Sequence, residues 1–95
     1  MRYAAKVDAV QPECVNFWKR SGKLFVSTAR QGDGAPDGYL LHMGLWIAIE
    51  FKAPKGKLEP KQTKLHAAIT AKGGKVYIIR SIEDAAALIG ARLAA

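Results

Sequence analysis

Apolar residues change their spacing along this chain, and each change marks an element boundary. Between residues 9 and 21 (AVQPECVNFWKRS), Val10, Cys14, Val15, Phe17 and Trp18 recur at mixed three- and four-residue intervals. That is the period of a helix with one buried stripe. Pro12 suits its first turn, where a missing N–H is harmless, and Gly22 ends it. Residues 24–29 (LFVSTA) are β-branched and aromatic and predict a strand. QGDGAPDG is loop chemistry throughout. Residues 39–43 (YLLHM) and 45–52 (LWIAIEFK) predict two strands joined at Gly44 as a tight antiparallel hairpin.

After a loop at 53–59, Pro60 opens a second helix with Leu65, Ala68 and Ile69 as its inward stripe and Gly73-Gly74 as its stop. KVYIIR at 75–80 predicts a short strand. Ser81-Ile82-Glu83-Asp84 then resembles a capping box that starts a last helix, with Ala85, Leu88 and Ile89 facing inward. The order α-β-β-β-α-β-α predicts an α/β domain on a mixed sheet.

Size sharpens this picture. A chain of 95 residues is one domain, here residues 1–95. It buries roughly two-thirds of its unfolded surface, so a dimer is a natural source of further burial. At 49% hydrophobic residues the chain is globular rather than disordered. Cys14 is the one cysteine, which excludes a disulfide framework and a thiolate zinc site and suits a reducing cytoplasm. Arg2, Lys6 and Asp8 precede no long apolar run, so neither a signal peptide nor a membrane span is expected.

Charge adds a partner class. Of a net +7, residues 52–80 carry nearly all: Lys52, Lys55, Lys57, Lys61, Lys64, Lys72, Lys75 and Arg80 stand against Glu59 alone. A one-sided basic segment attracts a polyanion such as nucleic acid, although a merely solubilising lysine face has the same composition.

Alternation in WIAIEFK puts Ile47, Ile49 and Phe51 on one face and Ala48, Glu50 and Lys52 on the other. Glu50 and Lys52 are thus same-side neighbours, roughly 6–7 Å apart at their Cα atoms. Taken alone they describe an edge strand with a polar face toward water. Asp37 stands at the start of the partner strand, in a turn fixed by Gly34, Pro36 and Gly38, from which its carboxylate can approach Glu50. Two approaching carboxylates repel unless a cation lies between them. Hard cations such as Mg²⁺ take one or two carboxylates with carbonyl oxygen and water. His42, mid-strand, and His66, mid-helix, have no partners at metal-ligand spacing and read as structural, although His66 can share a face with Gln62. Cys14 reads as a small core residue.

The run G-x-PDG, then IEFKAPKGKL-x-P-x-Q, then GGKVYIIRS-x-ED closely resembles the VRR-NUC domain of the PD-(D/E)XK nuclease superfamily. KVDAVQPECV at the start is similar to small stand-alone phage members, which have a Glu on the first helix. The resemblance covers about residues 6–90 and rests on motifs that occur in order. It implies a restriction-endonuclease-like mixed β-sheet flanked by helices. It also implies that Asp37 and Glu50 are metal-binding carboxylates, with the Phe51 carbonyl as a third ligand. By the same resemblance Lys52 is the motif lysine that positions the attacking water and offsets phosphate charge. Glu13 matches the first-helix acid that supports the metal, and Gln62 the glutamine that orients Lys52 or the phosphate. Where relatives often have Ser or Thr before the Pro-x-x-Gln helix, this chain has Glu59, a poorer N-cap.

The expected activity is therefore Mg²⁺-dependent hydrolysis of DNA phosphodiesters, with Mn²⁺ able to substitute. Branched or junction DNA is the expected substrate and a Holliday-junction resolvase-like homodimer the expected assembly. Lys55, Lys57, Lys61, Lys64 and Lys75 would grip the DNA backbone. The setting implied is the cytoplasm, a bacterial host's if the chain is phage-encoded. A catalytically silent nucleic-acid-binding module and a nuclease subunit dependent on a helicase or recombination partner are the competing readings.

Overall fold

A computed structural model describes residues 2–28, 30–91 and 93, and for residues 2–9 the backbone path alone. The elements are α1 (Arg2–Arg20), β1 (Leu24–Ser27), β2 (Gly38–His42), β3 (Leu45–Phe51), α2 (Pro60–Ala71), β4 (Val76–Ile79) and α3 (Ile82–Leu88). Their order is the one the hydrophobic pattern predicts. The sheet runs β1-β2-β3-β4. Its first three strands form antiparallel pairs, and β3 pairs with β4 in parallel. The parallel pair requires a crossover, which α2 supplies.

One boundary differs from expectation. The first helix begins at Arg2, well before residue 9, so Pro12 lies inside it rather than in its first turn. Ala4, Ala5 and Ala9, strong helix formers, extend the helix ahead of the apolar stripe. The proline removes one internal hydrogen bond without ending it. Its end is as expected: Gly22 has φ +80°, and the N–H groups of Ser21, Gly22 and Lys23 close onto the last carbonyls.

The β2–β3 hairpin turns on Met43 (φ +52°) and Gly44 (φ +78°). Positive φ at both central residues is the type I′ pattern whose twist matches the strands. The register set there, His42 opposite Leu45 and Gly38 opposite Ile49, decides which side chains share a face. On one face Phe25, Leu40, Ile47, Ile49, Phe51, Tyr77 and Ile79 pack toward α1 and α3. Cys14, Trp18, Leu40, Ile49, Phe51, Ile79 and Ala85 form the buried centre. Trp18, Phe25 and Phe51 meet at ring-centroid distances of 5.6–5.9 Å, within the range of favourable aromatic pairs. Trp18 Nε1 donates to the Ala85 carbonyl at 3.0 Å, which satisfies its one donor and ties α1 to α3.

The opposite face carries Leu24, Val26, Tyr39, Leu41, Trp46, Ala48 and Glu50, with Val76 and Ile78 on β4. α2 lies over the Glu50 end of it. It does so lightly: none of its residues is fully buried, and Ala68, expected inward, is exposed. A helix that buries so little is not here chiefly for its hydrophobic contribution. The other end of that face is uncovered, with Leu24, Val26, Tyr39 and Trp46 exposed.

Candidate active site

Asp37 reaches Glu50 because of register. Gly38 lies opposite Ile49, so the next pair outward is Asp37 and Glu50. The turn is held from the β1 side by Thr28, whose N–H donates to the Asp37 carbonyl at 2.8 Å and whose hydroxyl donates to the Pro36 carbonyl. Gly34 lets the loop press on the start of α2: it has φ +81°, and a Cβ there would lie 2.4 Å from the Lys61 carbonyl oxygen. Asp37 Oδ2 in turn accepts from the Phe51 N–H at 2.7 Å. The loop is thereby clamped between β1, β3 and α2 with its carboxylate aimed at the end of β3.

Glu50 is 1% exposed. Strand alternation points it away from the core formed by Ile49 and Phe51 and under α2. There Gln62 Nε2 donates to Glu50 Oε2 at 2.9 Å. Gln62 has its other end occupied, since its Oε1 accepts from the Glu59 N–H at 2.9 Å. Pro60 begins the helix as expected, and Gln62 supplies the reciprocal half of a capping arrangement despite Glu59 at the N-cap. The same bond fixes which way the Gln62 amide faces, so its N–H₂ must point to Glu50.

The electrostatics disfavour a charge on Glu50. Burial pushes the Glu50 carboxyl up to about 8, and the Asp37 carboxylate in contact with it pushes the same way, against the opposing pull of Lys52. Glu50 Oε1 is buried and has no hydrogen-bond partner. Lys52, 8% exposed, follows on the same side as strand alternation requires, and its N–H continues the parallel ladder to the Ile79 carbonyl at 3.1 Å. Two apposed carboxylates and an unsatisfied oxygen are the donors a hard divalent ion takes, and the residues present fit one. Among the described residues no three His, Cys, Asp or Glu side chains gather for a metal. The side chains that would hold such an ion are Asp37 and Glu50.

The structure thus brings Asp37, Glu50, Phe51, Lys52 and Gln62 together. Among the described residues Glu13 joins no three-carboxylate group with Asp37 and Glu50. It is exposed on α1 beside Cys14, whose thiol is pushed up to about 12 by burial first and then by Glu13, Asp84 and Glu83. Lys55, Lys57, Lys61, Lys64 and Lys75 are all exposed. Lys61 lies 3.6 Å from Asp33 in a solvent-facing pair, and Lys75 Nζ sits 4.5 Å from the centre of the Tyr77 ring. A cleft of about 530 Å³ runs between the 28–37 loop and the first turn of α2, with Asp37 and Gln62 among its walls.

Two participants escape a reading of the sequence. Arg80 Nη1 donates to the carbonyls of Gly56 at 2.6 Å and Ala53 at 2.8 Å, fastening the lysine-bearing loop after β3. No local pattern announces a guanidinium reaching across 24 residues. His66 lies 3.6 Å from Glu50, and its four-residue spacing from Gln62 was the available signal.

A solved structure described as a VRR_NUC domain matches with a TM-score of 0.71 at 25% identity, covering 90% of this chain and 95% of that one. The chain folds as a VRR-NUC domain. No family sequence model and no curated protein sequence matches it. VRR-NUC is a nuclease-domain family, so the fold implies a nuclease with DNA as substrate and a divalent metal as cofactor. The mixed sheet flanked by helices is the architecture the motifs predicted for it. Among the described residues no helix of this VRR-NUC domain is long and apolar enough to cross a membrane.

Proposed function

We propose that this VRR-NUC domain is a Mg²⁺-dependent DNA endonuclease acting on branched DNA, with Mn²⁺ as a working substitute. The observation that supports this best is the Asp37–Glu50 pair at the end of β3, Glu50 buried and half-buried Asp37 against it, with buried Lys52 beside them. Asp37, Glu50 and the Phe51 carbonyl would hold the cation. Bound there, a divalent ion supplies positive charge to the scissile phosphate and lowers the pKa of a coordinated water. Lys52 holds a fixed ammonium beside the phosphate oxygens, where it stabilises charge that grows in the transition state. Gln62 and the Phe51 N–H orient the two carboxylates, so little reorganisation is needed on binding. Lys55, Lys57, Lys61, Lys64 and Lys75 contact DNA phosphates on the exposed side.

The working unit we propose is a homodimer paired through the uncovered sheet face. Leu24, Val26, Tyr39 and Trp46 (55% exposed) are the exposed large apolar residues of that face. Val26, Tyr39 and Trp46 line an apolar groove of about 400 Å³. Exposed apolar side chains grouped on one sheet face are the kind of patch that marks a protein–protein contact. Two sites in one symmetric particle would nick two strands of a junction symmetrically.

The test is a cleavage panel of four-way junction, flap, nicked and linear duplexes with Mg²⁺ or Mn²⁺. Paired symmetric nicks on the junction are expected, and Glu50→Ala or Lys52→Ala should abolish them in folded protein. Cutting that survives both substitutions would overturn the site assignment. Light scattering should show Trp46→Glu as a monomer and the wild type as a dimer; a monomeric wild type refutes the pairing.

A further inference from the structure

α2 presents two polar side chains to Glu50, one helical turn apart, and the roles above use only one of them. Gln62 takes Glu50 Oε2 at 2.9 Å. His66 places Nε2 3.6 Å from Glu50 Oε1. Both of these last atoms are buried, and neither has a hydrogen-bond partner. The side chains are 12% and 1% exposed, so bulk water does not satisfy them. Buried polar atoms are nearly always paired, and two unpaired ones facing each other call for a common explanation. The gap exceeds a hydrogen bond by only about 0.6–0.7 Å, which a small imidazole rotation closes. An imidazole has an N–H to give from Nε2 in the tautomer that its hydrogen-bond partners set.

We propose that His66 is a positioning residue that donates from Nε2 to Glu50 Oε1, so that with Gln62 it fixes the carboxylate plane in the cation-binding orientation. The proposal rests on the reading of Asp37 and Glu50 as the metal site. It explains why α2 crosses the sheet here while burying so little apolar surface: the helix serves as a two-point holder for one carboxylate. Tying both oxygens of a ligand from outside the metal shell raises affinity, because the carboxylate need not be ordered on binding.

The test uses metal-free protein without DNA, titrated calorimetrically with Mn²⁺, beside urea denaturation in EDTA. His66→Leu keeps the volume and removes the donor. It should bind Mn²⁺ about 10–100-fold more weakly, the usual range for lost partners of metal ligands. His66→Gln, whose amide reaches as far as Nε2, should recover most of that loss. In turnover, the metal requirement should rise more than kcat falls at saturating metal. Wild-type affinity in His66→Leu, or an equal loss in folded His66→Gln, overturns the proposal. If His66→Leu does not fold, His66→Asn, whose amide is too short to reach, replaces it in the comparison; equal affinities of the Asn and Gln variants overturn it. A wild type that binds no Mn²⁺ overturns the metal reading as well, which separates the two failures.

Discussion

Replacing Glu50 by Gln separates the site's cost to the fold from its value to catalysis. In the metal-free protein Glu50 is driven up to about 8 from an ordinary value of 4.5, by burial and then by Asp37. Below pH 4.5 the carboxyl is protonated folded or unfolded and costs nothing. As pH rises through 4.5 the unfolded chain releases this proton while the folded one keeps it, so stability falls. The loss grows by about 1.4 kcal/mol per pH unit and levels off above pH 8, at roughly 3–5 kcal/mol. Glu50→Gln removes that slope while keeping the shape. Its carbonyl still accepts from Gln62, and its amide can donate to Asp37 with His66 in the tautomer that leaves Nε2 an acceptor. Urea denaturation in EDTA should therefore find the variant more stable than wild type by about 3–5 kcal/mol at pH 8.5, a large share of a domain's total stability. By pH 5 the gap should shrink below about 1 kcal/mol. Saturating Mg²⁺ at pH 8.5 should raise the wild type and leave the variant unchanged, since only the wild type binds the ion. Cleavage should be lost throughout. A variant no more stable than wild type at pH 8.5, or a gap that persists on acidification, would refute the account of Glu50 as a destabilised carboxylate awaiting charge.

Other consequences are read in separate assays. Lys52→Met keeps the stem and removes the ammonium, so kcat should drop by about 10²-fold or more with metal affinity retained, checked by single-turnover cleavage beside Mn²⁺ titration. Gly34→Ala meets both a left-handed φ and the Lys61 carbonyl; it should destabilise the fold by about 1–3 kcal/mol and impair cleavage, as measured by urea midpoints and kcat. Cys14 is fully buried with its thiol pushed up to about 12, so a thiol reagent at pH 8 should label it only after denaturant is added. Changing Lys57 and Lys64 to Gln should weaken junction binding at low salt and flatten the plot of log affinity against log salt by about 0.9 for each lost phosphate contact.

Much of the site was legible in particular residues. Period-two alternation in β3 was enough to put Glu50 and Lys52 on one side, because a strand's geometry leaves no other choice. A hairpin at Gly44 was legible too, but Met43 was read as strand; its positive φ beside that of Gly44 makes the two-residue turn that fixes the register carrying Asp37 to Glu50. The long start of α1 was not legible: Pro12 is a first-turn signal locally, and residues before it lack the apolar stripe that makes a helix visible. The light packing of α2 was likewise hidden, because Leu65, Ala68 and Ile69 have the spacing of a buried stripe whatever they finally meet.

What the sequence determined by itself was the set of elements, their order, the sidedness of the carboxylate–lysine strand and the basic segment beside it. Each of these follows from local geometry, repeating every two or every 3.6 residues, or from composition. Only the tertiary structure decided which groups face Glu50 from across the sheet. His66 and Gln62 on α2, the Thr28 hold on the turn and the reach of Arg80 to the loop after β3 join residues far apart in the chain. The bare apolar face of β1 to β3 is equally a matter of how elements stack. Contacts of that kind depend on where α2 lands after its crossover and on which face of the sheet α1 and α3 leave open, and no local periodicity encodes either.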